Sequence, residues 1–231
     1  MIVDGYCELD GPADELLRQM DRGGVDRAVI QPPDRCFAWE NEAGNEMMIT
    51  AAEKYPARFF PAVTVNPWRP DAVRVLQRYL PAAKLLAFSP GVQGFLPSED
   101  RLDPILETVT DIPIYIHTGH HSSGAPSQLA LLAKRFPRMN FIMGHTGSTD
   151  YAADVIPVCR MCPNIYIESS FARPPGFVKK LAEIGFDRGI FGSGYPYNDL
   201  AFEVSEMKRL CPEPHHRAVF GANFLKLMGT K

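Results

Sequence analysis

Two stretches decide how this chain folds: PIYIHTGHH at Pro113–His121 and FIMGHTGS at Phe141–Ser148. Each is a short apolar run that stops at a histidine followed by threonine and glycine. A run with no polar alternation fits a parallel strand covered on both faces. Between the two, Ser127–Phe136 spaces its Leu and Ala residues at helical intervals, so the unit reads strand, helix, strand.

The same unit repeats outward in both directions. Eight apolar runs occur: Met1–Glu8, Arg27–Gln31, Phe59–Asn66, Lys84–Ser89, Ile112–His117, Asn140–His145, Asn164–Ser169 and Arg188–Ser193. Amphipathic segments separate them at Pro12–Arg22, Asn45–Tyr55, Ala72–Leu80, Pro104–Val109, Ser127–Phe136, Tyr151–Cys159, Gly176–Ile184 and Phe202–Leu210. A last helix is expected over His216–Met228. Asp103 before Pro104 and Pro70 before Asp71 are helix-start signals. Regular alternation with no linker predicts a single α/β domain over residues 1–231, a (β/α)8 TIM barrel. An open seven-stranded sheet is the alternative if the short second or fourth run is not a strand.

Composition bounds the function. Hydrophobic residues make up 45% and charged residues 22% of the 231 positions, ordinary for a globular chain. A net charge of -3 offers no basic footprint for nucleic acid. No stretch is apolar for long enough to span a bilayer, so no membrane partner is expected. Five cysteines, an odd number, suggest reduced thiols and a cytoplasmic location. The spacing of Cys159 and Cys162 suits a zinc knuckle or redox pair, but no second pair accompanies it, and two incidental thiols at a helix end are the better reading.

In a barrel of this kind chemistry sits at the C-terminal strand ends. There the sequence places Asp4, Tyr6 and Glu8 at the end of the first run, His117 at the end of the fifth with His120 and His121 beyond it, and His145 at the end of the sixth. Glu168 stands at the end of the seventh run and Gly194 just past the eighth. His117 and His145 occupy matching tips of adjacent strands, which lie about 5 Å apart, so both imidazoles can face one metal or one substrate. A lone buried histidine is usually just satisfied by a carbonyl; a matched pair favours function. Cys7 alternates with Tyr6 and Glu8 and is expected to face away from the lumen.

The two histidine stretches resemble the third and fourth histidine strands of the amidohydrolase-related family, which includes enzymes like aminocarboxymuconate-semialdehyde decarboxylase. The likeness continues through PARF at Pro56–Phe59, VNP at Val65–Pro67, PGVQGF at Pro90–Phe95, GSGYP at Gly192–Pro196 and VFGANFL at Val219–Leu225. It implies a metal-dependent hydrolase-like barrel acting on a small carbonyl or carboxylate substrate, by hydrolysis or a related decarboxylase or lyase step. The departures are specific. Tyr6 and Glu8 stand where the family has two first-strand histidines, Ser89 stands where many members have histidine, and Gly194 replaces an aspartate that contacts the metal.

Two chemical readings follow. Glu8, His117 and His145 would make a two-histidine, one-carboxylate set for a divalent Zn, Mn or Fe ion. Without a metal, His117 and His145 with Tyr6, Glu8 and Glu168 would do acid–base work as catalytic residues. Arg35, Phe37 and Trp39 after the second run, and Trp68 with Arg69 after the third, suit either a clamp on a small organic acid or a contact between copies in a homo-oligomer. Tyr195 and Tyr197 flank the eighth strand's exit and are placed at the pocket. The competing class is a metal-free, non-catalytic binding or assembly protein that keeps the barrel scaffold.

Overall fold

The computed structural model describes residues 1–148 and 150–229. Eight strands lie in one sheet in chain order, with every strand pair parallel. They are β1 (Val3–Glu8), β2 (Arg27–Gln31), β3 (Phe59–Val63), β4 (Leu85–Phe88), β5 (Ile114–His117), β6 (Phe141–Gly144), β7 (Ile165–Glu168) and β8 (Gly189–Ile190). The ring closes where the Gly5 N–H donates to the Phe191 carbonyl at 2.7 Å and the Glu8 N–H to the Tyr195 carbonyl at 2.8 Å. This is the (β/α)8 barrel that the alternating pattern predicts.

Alternation along the strands divides the interior in two. Tyr6, Val29, Ala62, Ala87, Tyr115 and Ile142 fill the lumen. Cys7, Ile30, Val63, Phe88, Ile116 and Met143 face the helices. Cys7 thus turns away from the lumen, as its position between Tyr6 and Glu8 requires.

Several elements depart from the sequence expectation, four of them for a clear local reason. The helix expected over Asn45–Tyr55 begins at Asn41 and runs to Lys54. Its first turn is polar because Asn41 accepts from the Asn66 N–H at 2.8 Å, while Asn45 both donates to the Thr64 carbonyl and accepts from its N–H. The helix expected over Tyr151–Cys159 spans Val155–Met161; Pro157 is compatible only with a first turn, so the helix cannot begin much earlier. Strand β8 has two residues because beyond it Phe191 donates to Val219 and Gly192 to the Ser169 hydroxyl. The last helix is broken into a π-helical turn, Ala218–Ala222, and a short helix, Asn223–Leu227. Buried Asn223 ties this end to the barrel through the carbonyls of Phe186 and Gly189. Neither Asp71 nor Asp103 caps a helix; they pair with Arg69, Arg74 and Arg135.

Among the described residues no helix is long and apolar enough to cross a membrane, and all five cysteines are free and buried.

Gly144 controls one contact that the site needs. A Cβ there would fall 2.3 Å from the Tyr115 ring. Gly144→Ala is therefore expected to cost about 1–3 kcal/mol through overpacking, read as a lower urea midpoint with an unchanged slope. Gly176→Ala, where the nearest atom is a lysine tip 3.8 Å away, serves as the control. Equal effects from the two substitutions would contradict this packing account.

Candidate active site

The two His-Thr-Gly stretches form a pair of interlocked turns. Thr118, just past β5, donates its hydroxyl to the Gly144 carbonyl at 2.6 Å and accepts the Gly147 N–H at 2.9 Å. Thr146 in turn donates to the Glu168 carbonyl at 2.5 Å. These bonds hold His145 and Thr146 at φ 63° and 48°, a left-handed conformation that costs about 1–3 kcal/mol per non-glycine residue and persists only where neighbours enforce it. Gly119 cannot be replaced by a larger residue in this geometry, since a Cβ would meet the Ser148 nitrogen at 2.5 Å.

The turns place the imidazoles in direct contact. Nδ1 of His117 lies 2.9 Å from Nε2 of His145. The other nitrogen of His117 meets Oε1 of Gln31 at 3.0 Å, and the other nitrogen of His145 meets the Ser170 hydroxyl at 2.8 Å. Tyr6 lies edge-on to both rings, at 5.5 and 5.0 Å between centroids, with Phe37 against His117 and Phe171 against His145. Burial in this aromatic shell disfavours the imidazolium, pushing His117 down to about 3 and His145 well below the ordinary value.

Beneath the pair lies a carboxylate. Glu168 is fully buried. It accepts the hydroxyls of Tyr115 at 2.7 Å and Ser170 at 2.6 Å, together with the N–H groups of His145 and Ser170. Burial raises it to about 7 against the pull of these hydrogen bonds.

The pair opens on a cavity of about 390 Å³ at the C-terminal strand ends, whose walls include Tyr6, Glu8, Asp34, Ser89, Phe171 and Tyr197. His120 and His121 complete its rim. Tyr6, Glu8, His117 and His145 all face this one space. The Tyr6 hydroxyl forms no hydrogen bond among the described residues and is left to the cavity; burial pushes its pKa well above the ordinary tyrosine value. Glu8 is held by the Tyr197 hydroxyl at 3.1 and 3.2 Å and is raised by burial.

A divalent metal does not fit this arrangement. The nitrogens that would share it already bond to each other, and their outer nitrogens are taken by Gln31 and Ser170. The Glu8 carboxylate is turned to Tyr197. Among the described residues no group of three or more His, Cys, Asp or Glu side chains is disposed to hold a metal ion.

Other expectations are corrected. The Arg35 guanidinium is occupied by Asp10 at 2.7 Å and by Glu40, and Arg69 by Asp71. Trp39 and Trp68 are exposed to solvent. None of these lines the cavity, and Phe37 instead lies buried under His117. Tyr197 lines the cavity, whereas Tyr195 packs on the outer core. Gln31 and Asp34 were not legible as site residues, although both sit where β2 ends and its loop begins, the standard place for function in a barrel.

The chain belongs to the amidohydrolase family, whose model matches residues 5–229, and is an enzyme of hydrolase or lyase type. Among solved structures it is similar to an uncharacterized TIM-barrel protein of Bordetella bronchiseptica. That pair is 18% identical with a TM-score of 0.83, covering 99% of this chain and 98% of the other. It is also similar to 5-carboxyvanillate decarboxylase of Sphingomonas paucimobilis, at 16% identity and TM-score 0.79 over 100% and 99% of the chains. A dihydroxybenzoic acid decarboxylase of Polaromonas sp. JS666, solved with manganese and 2-nitroresorcinol, is 15% identical with TM-score 0.81 over 99% and 96%. Likeness at these identities is one of fold. No curated protein matches the chain in sequence.

The lowered histidines carry a signed stability prediction. His117 contributes stability that is fully present above its unfolded value near 6.5 and is lost as pH falls toward about 3. Urea unfolding of the wild type, compared with His117→Asn, should show the wild type losing its relative advantage as pH falls from 6.5 toward 3. Parallel pH curves for the two proteins would contradict a neutral, buried His117.

Proposed function

We propose that the chain is an acid–base enzyme acting on a small carbonyl or carboxylic acid compound about one ring in size, by a lyase step such as decarboxylation or by hydrolysis. The observation that carries this is the neutral His117–His145 pair set beside a free Tyr6 hydroxyl in one aromatic-walled cavity. A cavity of about 390 Å³ is at the small end of ligand sites. The decarboxylases of similar fold support a small aromatic acid as the substrate class.

In this reading His117 is the catalytic base, taking a proton from a substrate hydroxyl or from water. Tyr6 donates its hydroxyl to the oxygen or carbon on which charge develops. Glu8 and Asp34 give the cavity two carboxylates, and among the described residues no lysine or arginine lines it. A carboxylate substrate is therefore held without a counter-charge, and losing it as CO2, with a proton taking its place on carbon, removes the conflict. Hydrolysis uses the same pair, with water in place of the substrate hydroxyl. No step is assigned to a metal, although solved proteins of similar fold contain manganese. The free thiols suit a reducing compartment, and we place the enzyme in the cytoplasm.

The test is a panel of hydroxybenzoic acids and small lactones, followed by mass spectrometry for CO2 loss or water addition. His117→Asn is expected to lower turnover by about 10²–10⁴-fold, and Tyr6→Phe by about 10²-fold. Equal activity of His117→Asn and wild type on a turned-over substrate would overturn the assignment.

A further inference from the structure

The hydrogen bonds behind the histidines run in one consistent direction. A serine hydroxyl carries one hydrogen. Ser170 gives its hydrogen to Glu168 Oε2 at 2.6 Å, so toward His145 Nδ1, 2.8 Å away, its oxygen can only accept. His145 therefore carries its hydrogen on Nδ1 and has a lone pair on Nε2. The hydrogen in the 2.9 Å bond between the rings then belongs to Nδ1 of His117, and Nε2 of His117 is bare.

Gln31 supplies an independent observation at the other end. A bare His117 Nε2 facing Gln31 Oε1 at 3.0 Å sets two acceptors against each other. The Gln31 Nε2 group is meanwhile a buried donor with no partner, which is unfavourable. A half-turn of the amide removes both faults, presenting N–H to the bare nitrogen. The side-chain amide tolerates this exchange because its two ends are nearly the same size.

The structure assigns Glu168 and Ser170 as positioning residues that hold both imidazoles as Nδ1–H tautomers, so that His117 keeps a bare Nε2, capped by the Gln31 amide until a substrate donor replaces it. This rests on the acid–base reading above and specifies its direction: resting His117 is a base and not an acid. When Nε2 takes a proton from substrate oxygen, the Nδ1 proton can pass to His145 Nε2. The His145 Nδ1 proton then passes to Ser170, and the Ser170 proton to Glu168. Each centre gains one proton and loses one, and the net change is one proton moved from substrate to Glu168.

The test needs no substrate. Long-range ¹⁵N–¹H spectra of the full chain's histidines, at mildly alkaline pH where Glu168 is ionised, report the tautomer of each ring. Both His117 and His145 are expected as Nδ1–H. Ser170→Ala should turn His145 and His117 into tautomer mixtures, while Ser170→Thr, which keeps the hydroxyl, should restore them. With a turned-over substrate, Ser170→Ala should lower kcat by about 10²-fold with little change in KM. Nε2–H tautomers in the wild type would overturn the assignment, and this holds even where a variant fails to fold. Unchanged tautomers in folded Ser170→Ala would also overturn it. Failure of the function alone would show differently, as the stated tautomers without any turnover.

Discussion

The bond between Nδ1 of His117 and Nε2 of His145 is the interaction on which the rest of the site depends. Two imidazoles can share a hydrogen bond of 2.9 Å only if one ring donates and the other accepts. The accepting ring must then be neutral, and the barrel keeps both rings neutral by burying them among Tyr6, Phe37, Tyr115 and Phe171. The charge excluded from the rings is placed one layer lower, on Glu168, where four donors receive it. Placing the charge one layer down leaves two neutral imidazoles at the cavity wall.

The backbone serves the same constraint. By alternation from Gly144, which is registered with His117, a histidine continuing β6 in extended backbone would point to the opposite face from His117. The left-handed turn at His145 and Thr146 swings its ring across to the tip of β5, and two threonine hydroxyls hold that turn against its strain. The His-Thr-Gly repeat is thus explained residue by residue: the histidine lines the cavity, the threonine locks the neighbouring strand's turn, and the glycine makes room for the next chain segment. The absence of a side chain at Gly144 lets the Tyr115 ring lie close enough to reach Glu168.

Much of this was legible in the sequence. The eight strands follow from continuous apolar runs, and the nearness of His117 and His145 follows from their places at adjacent strand tips; the register sets His117 opposite Gly144, and the left-handed turn at His145 brings the rings together. Glu8 and Tyr6 were placed in the lumen by alternation alone. What alternation could not give was the direction of each side chain's polar end. Glu8 lines the shared cavity but is drawn to Tyr197, a partner 189 positions away in the chain. Arg35 and Arg69 lie on the right face, yet nearby carboxylates claim them. Gln31 and Ser170 carry no motif; only the geometry of the assembled tips shows that they terminate the histidine chain. The helix and strand boundaries that moved did so at Pro157, Asn41 and Ser169, where a ring or a side-chain hydrogen bond overrides periodicity.

The family's fold is retained here with a different set of donors at its centre. His117 and His145 bond to each other and to Gln31 and Ser170. The most direct measurement of that claim is scalar coupling between ¹⁵N nuclei across the His117–His145 hydrogen bond, in protein purified without chelator. The account predicts a resolved coupling between Nδ1 of His117 and Nε2 of His145. No coupling, together with about one tightly held divalent ion per chain lying between those nitrogens, would contradict it.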